Sequence, residues 1–245
     1  MSLSHTALVV EDLFTTLSAE QLLYVDPNWV EWAENVNDLN FKEMPGESGV
    51  YADHHSWASG REQVCAWDGA AQPSAEDYTA WVEYGGELTR ARDFYVGTAV
   101  RLADAGYTTW DGYVLFYRNN NDDNWQLRIY RFDNGGTTQL ANYELGAALT
   151  PGDTYALEVS GTGASIGLKG YLNDSEVLSV TDSSGSRLVA AGKAGVASMT
   201  GGSPWVDPDA SLLTFRIYEA AAGFIPYPYS RGARGGHFAM TGGLA

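Results

Sequence analysis

The amino-acid sequence predicts an all-β protein folded as an antiparallel β-sandwich, and two observations carry this prediction. Apolar and polar residues alternate strictly over residues 125–132, which is the pattern of a strand with one buried face. Turn-forming residues recur between such runs about every eight to twelve residues, as in sandwiches and barrels. The clearest turns are Asp133-Asn134-Gly135-Gly136, Thr150-Pro151-Gly152-Asp153 and Asn173-Asp174.

Each strand is predicted from an apolar run bounded by turn residues. Residues 36–62 are rich in Asn, Asp, Gly and Ser and are predicted as long loops with weak strands. A short helix is predicted at residues 18–21, where Ser18 could cap it. We expect strand 94–102 to pair with the preceding strand 77–84. The predicted strands are 6–14, 29–32, 63–67, 77–84, 94–102, 111–118, 125–132, 137–145, 154–160, 164–172, 176–181 and 211–219.

Three segments resemble a known superfamily: LTPGDTYALEVSG from residue 149, GYLNDSEVLSVTDSS from residue 170 and AGKAGVAS from residue 191. They are similar to the concanavalin A-like lectin/glucanase superfamily in its laminin-G-like form. The resemblance covers about residues 77–219, and Asp12-Leu13-Phe14 matches an opening element of that family more loosely. It implies a jelly-roll sandwich, but no activity, because this fold hosts lectins, hydrolases, lyases and structural modules.

Composition limits the partners of the chain. The net charge of −17, with only 14 basic residues among 245, disfavours the phosphate backbone of nucleic acid and anionic membrane surfaces. Apolar residues make up 44%, enough for a full core. Cys65 is the one cysteine, so no intrachain disulfide can form, and we expect it to be a core thiol.

The N-terminal residues lack a basic segment followed by an apolar run, so no secretory signal is predicted. Most lectins and glycan-degrading jelly rolls of bacteria are exported. We therefore expect a protein that is made in the host cytoplasm and released by lysis as part of a virion. Proteins with these features are similar to the decoration, tail and fibre proteins of tailed phages.

Residues 1–219 are predicted to form one sandwich domain, and the composition changes at residue 220. Residues 220–245 contain no acid, and Pro226 and Pro228 alternate with aromatics, which favours an extended arm. Such a segment is either a terminus without fixed structure or an arm that docks on a neighbouring subunit of a homo-oligomer. The predicted subunit contacts are Phe224, Tyr227, Tyr229, Arg231, Arg234 and Phe238.

The carboxylates expected of a glucanase of this superfamily are missing. Such enzymes place two glutamates and an aspartate at alternate positions of one strand, as nucleophile and general acid. No Glu-x-Asp-x-Glu run occurs, and Glu83 and Glu87 are separated by Gly85-Gly86, which is predicted to be a turn. The sequence therefore predicts a protein that is not an enzyme.

Lyases of the superfamily instead use Arg, Gln, His and Tyr on one sheet face. Gln126, Arg128 and Tyr130 share one face of their strand, and His54-His55 could supply imidazoles. The simpler interpretation is that these three side chains are the solvated face of a strand.

Two kinds of ligand site can be predicted from residue types. Asp122 and Asp123, within an Asn-rich run, could offer oxygen ligands to calcium, although the run lacks the spacing of a defined calcium loop and an Asn/Asp-rich hairpin turn is much more common. No other cofactor is implied. Aromatic side chains near loops could stack on a sugar ring or could belong to the core: Trp57, Tyr107, Trp110 and Trp125.

The favoured hypothesis is a non-enzymatic virion structural protein, a capsid decoration or tail component assembled through its C-terminal arm. The alternative is a carbohydrate-binding module or host-surface adhesin that binds a surface glycan. A polysaccharide lyase or hydrolase is the third hypothesis, although the net charge should repel acidic polysaccharides.

Overall fold

The structure, a computed structural model, describes the greater part of the chain. No helix among these residues is long and apolar enough to cross a membrane. The described residues are 7–14, 26–33, 39–43, 50–54, 62–73, 76–87, 94–104, 110–120, 124–134, 136–200 and 210–219. The predicted helix at 18–21 and the arm 220–245 lie outside these ranges, so the boundary of the sandwich domain at residue 219 stays a prediction.

Fifteen strands form in the described part of the chain. They are β1 Ala7–Asp12, β2 Trp29–Ala33, β3 Leu39–Glu43, β4 Val50–His54, β5 Glu62–Trp67, β6 Tyr78–Glu87, β7 Phe94–Asp104, β8 Trp110–Asn120, β9 Asn124–Asp133, β10 Gly136–Glu144, β11 Thr154–Ser160, β12 Ile166–Leu172, β13 Ser175–Asp182, β14 Lys193–Thr200 and β15 Ala210–Glu219. Strands β3 and β4 lie in the segment predicted as long loops with weak strands, and each is only five residues long.

The strands pair into two antiparallel sheets. The eight-stranded sheet has the order β13-β12-β11-β6-β15-β4-β3, with β1 also paired to β15. The seven-stranded sheet has the order β10-β9-β8-β7-β14-β5-β2. This arrangement confirms the predicted all-β jelly-roll sandwich.

The predicted pairing of the strands now numbered β6 and β7 is wrong. Strand β6 pairs with β11 and β15 in one sheet, whereas β7 pairs with β8 and β14 in the other. Neighbours in sequence usually pair, but both edges of β6 and of β7 are occupied by other strands. The connection between them therefore crosses from one sheet to the other.

The turns behave as their residues predict, with one exception. Asn134, Asn173 and Asp174 adopt positive φ values of 49°, 47° and 63°, as tight hairpins require. Gly85-Gly86, by contrast, is not a turn, because β6 continues through it. Gly86 has a φ of 118°, and the pairing of β6 with β15 shifts its register there, so the two glycines form a bulge.

Aromatic rings fill much of the space between the sheets. Trp29 packs against Phe14, Trp67 and Phe215, with ring centroids 5.7, 5.4 and 5.1 Å apart. Cys65 is buried in the same core, as predicted. Ring contacts of this kind stabilise a core beyond the area that they bury.

Buried tyrosines add hydrogen bonds between the sheets. The Tyr155 hydroxyl, on the eight-stranded sheet, donates to the Val96 carbonyl of the seven-stranded sheet at 3.0 Å. The Tyr78 hydroxyl donates to the Gly192 carbonyl, also at 3.0 Å. Burial raises the pKa of both hydroxyls, so they stay neutral donors at physiological pH.

A buried ion pair also joins the sheets. Arg131 Nη1, on β9, lies 2.9 Å from Asp182 Oδ2, on β13, and the Tyr113 hydroxyl donates to the same oxygen at 2.8 Å. Burial by itself would raise the pKa of Asp182, but hydrogen bonds from Ser184, Arg131 and Tyr113 outweigh it and lower the pKa to about 2. The Asp182 carboxylate is therefore charged at physiological pH.

Candidate functional site

The seven-stranded sheet has a second packed face, which points away from the eight-stranded sheet and is called the outward face below. Its side chains occupy the strand positions between those that line the core. Trp110 stacks on Phe132 at 4.2 Å, and Phe116 packs edge-on against Tyr95 and Tyr130 at 5.7 and 5.9 Å. The buried members of this cluster are Val64, Ala66, Tyr95, Ala99, Leu102, Trp110, Val114, Phe116, Tyr130, Phe132, Ala197 and Met199.

Polar side chains collect at one end of the outward face. Across β7, β8, β9 and β10, the residue pairs Tyr95–Arg118, Arg118–Gln126 and Gln126–Glu144 stand directly opposite each other. Opposed residues of neighbouring strands bring their side chains together. We call this group the polar end, and its members are Tyr95, Arg118, Gln126, Arg128, Tyr130, Gln139, Asn142 and Glu144.

One chain of hydrogen bonds in the polar end leads to Glu144. Arg118 Nη1 donates to Gln126 Oε1 at 3.2 Å, and the Gln126 amide donates to Glu144 Oε1. Asn142 Nδ2 donates to the same carboxylate oxygen at 2.7 Å. Because Asn142 and Glu144 are exposed, this chain ends at solvent with both donors and acceptors.

The second chain of hydrogen bonds starts at Arg128, which is half-buried. Its Nη1 donates to the hydroxyls of Tyr130 at 3.2 Å and Tyr95 at 3.4 Å, and the Tyr130 hydroxyl donates to Gln139 Oε1 at 3.1 Å. Its Nε is buried without a hydrogen-bond partner. Within the described ranges no carboxylate pairs with Arg128; its partners are neutral hydroxyls and a ring.

The Tyr95 ring brings two guanidinium groups together. Arg118 Cζ lies 5.5 Å and Arg128 Cζ 6.0 Å from its centroid, within the range of cation–π contacts. The polar end therefore combines a cationic centre with amide, hydroxyl and carboxylate groups on one surface.

A cleft of about 690 Å³ lies at the opposite end of the outward face. Lys193, beside it, pairs in register with Leu102, whereas Tyr95 of the polar end pairs with Met199. The Lys193 ammonium forms an ion pair with Asp68. The cleft is lined by Val30, Asp68, Gly69, Gln72, Pro73, Leu102, Ala103, Ala191, Gly192 and Lys193.

Side-chain hydrogen bonds to backbone carbonyls stabilise the loop at the rim of this cleft. Trp67 Nε1 donates to the Ala71 carbonyl at 2.8 Å, and Gln72 Nε2 donates to the carbonyls of Trp67 and Gly69, each at 3.0 Å. These bonds give residues 67–72 a defined shape. The ion pair of Asp68 with Lys193, however, satisfies both charges of the cleft within the chain.

Two of the four predicted sugar-stacking residues, Trp110 and Trp125, lie in the described part of the chain, on opposite faces of the seven-stranded sheet. Trp110 belongs to the outward face but is only 5% exposed, because it stacks on Phe132. Trp125 is half-buried and packs against the core between the sheets. Trp57 and Tyr107 lie outside the described residues. That any of these four contacts a sugar stays a prediction.

The structure does not describe the residues predicted to bind a metal or to form the arm. Asp122 and Asp123 lie outside the described residues, and so do the predicted contacts of the arm, Phe224, Tyr227, Tyr229, Arg231, Arg234 and Phe238. Among the residues that the structure describes, no group of three or more His, Cys, Asp or Glu side chains could hold a metal ion. Calcium binding stays a prediction for Asp122 and Asp123.

The interpretation of Gln126, Arg128 and Tyr130 as a solvated strand face is wrong in part. Gln126 is 4% and Tyr130 8% exposed, because β9 lies inside the sheet and both of its faces are covered. Sequence reasoning also missed Tyr95, Arg118, Gln139, Asn142 and Glu144. Only the alternation within their own strands could have pointed to them, and it does not show which strands become neighbours.

Comparison with known proteins supports the fold. No protein-family model matches the chain, and no curated protein matches it. The carbohydrate recognition domain of Emp46p in its potassium-bound form aligns over 88% of this chain and 97% of its own, with 9% identity and a TM-score of 0.55.

Two further solved structures are similar. A legume lectin-like domain from Entamoeba histolytica aligns over 84% of this chain and 97% of its own, with 11% identity and a TM-score of 0.50. The exoplasmic/lumenal domain of VIP36, bound to Ca2+ and Man3GlcNAc, aligns over 82% of this chain and 88% of its own, with 12% identity and a TM-score of 0.51. The chain therefore has the fold of legume-lectin-like, concanavalin A-like domains.

Proposed function

We propose that this protein is a carbohydrate-binding domain that holds its ligand at the polar end of the outward face. The observation that carries the proposal is the convergence of Arg118, Gln126, Asn142 and Glu144 into one hydrogen-bonded group that ends at solvent. Sugar hydroxyls both donate and accept, so they fit a surface that offers amide donors beside a carboxylate acceptor.

The fold neighbours support the same class of ligand. The similar structures are described as a carbohydrate recognition domain, a legume lectin-like domain and a domain bound to Ca2+ and Man3GlcNAc. Calcium or potassium is named for two of these proteins, so an ion bound through Asp122 and Asp123 belongs to this proposal too. Because Glu144 is the carboxylate of the polar end, the described residues there do not form the acid pair of a glycosidase.

The test is binding of the full chain to a glycan panel, followed by titration of the best ligand. Asn142→Ala removes an exposed amide of the polar end and should weaken binding about fivefold or more, the typical effect of one lost hydrogen bond. Thr138→Ala, an exposed position on the same strand, is the matched control and should leave binding unchanged.

Two more variants test other locations. Lys193→Gln weakens binding only if the cleft is the site. Trp110→Phe weakens binding only if the predicted indole contact with the sugar exists. If no glycan on the panel binds, the proposed function is wrong.

Assembly into a virion is a second candidate function, supported by the acid-free, aromatic composition of residues 220–245. We propose that this arm docks on a neighbouring subunit, with Arg231 and Arg234 against the acidic body. The test is the native mass of the full chain against a chain ending at Glu219. A stable oligomer that becomes a monomer on truncation supports the arm, and two monomers contradict it.

A further inference from the structure

We propose that the saccharide bound at the polar end is anionic, and that Arg128 receives its carboxylate group. This inference rests on the proposed function and specifies the class of ligand. It concerns uronate-containing sugars, in which each carboxylate stands among ring hydroxyls.

The Arg128 guanidinium has no carboxylate partner among the described residues. A half-buried guanidinium ordinarily has a carboxylate partner, because taking an unpaired charge out of water is costly. Arg128 instead has the hydroxyls of Tyr95 and Tyr130, which are neutral. The charge is therefore left to be neutralised by a group from outside the described residues.

One amino group of the Arg128 guanidinium, Nη2, is left without a hydrogen bond to a described residue. Both tyrosine bonds go to Nη1, whereas Nε is buried without a partner. Nη2 makes no hydrogen bond to a described residue, and a carboxylate oxygen can accept a charge-assisted hydrogen bond from it.

Another arginine and several exposed polar side chains lie near Arg128. The Tyr95 ring carries Arg118 as well, so a second guanidinium group lies near Arg128. Gln139, Asn142 and Glu144, all exposed, lie on the neighbouring strand and offer partners for ring hydroxyls. A uronate needs both features within the span of one sugar unit.

The net charge of −17 does not exclude an anionic ligand. At physiological ionic strength the Debye length is about 8 Å, so a ligand held against Arg128 is affected mainly by the groups beside it. The acidic surface elsewhere reduces the rate of encounter more than the strength of the local contact.

A matched arginine is available as a control. Arg216 also lies over an aromatic ring, 4.3 Å from the centroid of Trp81, but on the eight-stranded sheet. Its Nη2 is 2.7 Å and its Nε 2.8 Å from Glu11 Oε1, so its charge already has a partner. The same substitution at the two positions removes the same side chain from two different electrostatic settings.

The experiment measures binding of the full chain to oligogalacturonate, oligomannuronate and hyaluronan fragments, each beside its carboxyl-reduced, neutral counterpart. We expect at least one uronate to bind about tenfold or more tightly than its reduced form. Arg128→Gln should weaken that binding about 10- to 100-fold, as loss of a charged hydrogen bond does, and Arg216→Gln should change it less than twofold. Thermal unfolding of both variants checks that they fold.

The possible outcomes separate the two proposals. Equal binding of charged and reduced oligosaccharides overturns the anionic ligand and leaves carbohydrate binding intact. Binding that Arg128→Gln and Arg216→Gln weaken equally overturns the role of Arg128. No binding to any of these oligosaccharides overturns the anionic ligand, whereas no binding to any glycan of the wider panel overturns the proposed function itself. The comparison of each polymer with its reduced form uses the unmodified protein, so it remains decisive even if Arg128→Gln does not fold.

Discussion

The outward surfaces of the two sheets each carry an arginine over an aromatic ring, yet only one of these charges is neutralised within the described chain. On the eight-stranded sheet, Arg216 is paired with Glu11, and Lys169 lies between Glu158 and Glu176 at 3.6 and 3.8 Å. On the seven-stranded sheet, Arg128 meets only hydroxyls and a ring.

If Arg128 binds a ligand as proposed above, the difference separates a surface that only completes the fold from one that binds a ligand. Charges that serve only solubility or packing can be paired at little cost, as on the eight-stranded sheet. A charge kept among neutral partners reduces stability, and such groups concentrate at functional sites. Whether an arginine charge is available to a ligand therefore depends on the charged groups around it, and not on its residue type or its aromatic neighbour.

The largest loss of stability is expected when a third arginine, Arg131, loses its carboxylate partner. Arg131 lies on the same strand as Arg128 but pairs with Asp182 inside the protein. Asp182→Ala leaves the buried guanidinium without its carboxylate and should lower the free energy of unfolding by about 3–5 kcal/mol. Urea unfolding measures this loss. Asp133→Ala, at the end of the same strand, is the control and should cost less than about 0.5 kcal/mol; equal losses would show that the pairing is unimportant.

The pH dependence of stability gives the next effect. The pKa of Asp182 is about 2 in the folded protein and 3.8 as an ordinary value, so the unfolded state binds the proton first as pH falls. The stability contributed by this carboxylate is complete above about pH 5 and is lost as pH falls through 4 towards 2, by about 2 kcal/mol. Unfolding free energies between pH 6 and 2 should show this loss in the natural chain and lack that component in Asp182→Asn. Parallel profiles would contradict the assignment.

A smaller effect compares the two surface arginines directly. Arg216→Met removes an ion pair and a cation–π contact and should lower the free energy of unfolding by about 1 kcal/mol. Arg128→Met removes a charge that has no acidic partner and should leave stability unchanged or slightly raised. Thermal and urea unfolding of both variants measure the difference. If Arg128→Met is the more destabilising, Arg128 is a structural residue and the contrast between the two surfaces fails.

The smallest effect comes from breaking the exposed pair itself. Glu11→Gln keeps the shape of the partner of Arg216 and removes its charge, so stability should fall by only a few tenths of a kcal/mol up to about 1 kcal/mol. The loss should shrink in 1 M salt, where exposed charges are screened. Unfolding at low and high salt tests this, and a loss that is independent of salt would mean that packing dominates there.

Most strands and turns of this protein could be predicted from the sequence, because their signals are local. The alternation over residues 125–132 marked β9, and Asn173-Asp174 marked the hairpin between β12 and β13. Glycine was the weak point. Gly85-Gly86 has the composition of a turn, but β15 continues to pair with the backbone of β6 across it, and the result is a bulge.

The candidate site could be predicted only in part. Gln126, Arg128 and Tyr130 were correctly placed on one face of a strand, since side chains alternate along it. Their burial was not predictable, because the alternation shows that a face is polar and not what covers it. The group also needs Tyr95, which is 33 residues from Arg128 in sequence.

By itself the sequence determined most strand positions and tight turns, the apolar residues for a core and the absence of an intrachain disulfide, all properties of short segments or of composition. Only the tertiary structure decided that β6 and β7 belong to different sheets and that Arg131 is paired while Arg128 is not. The physical reason is that pairing partners and electrostatic neighbours are chosen by the packing of distant strands. Every arginine carries the same guanidinium group. The fold decides whether a carboxylate lies beside it and neutralises its charge.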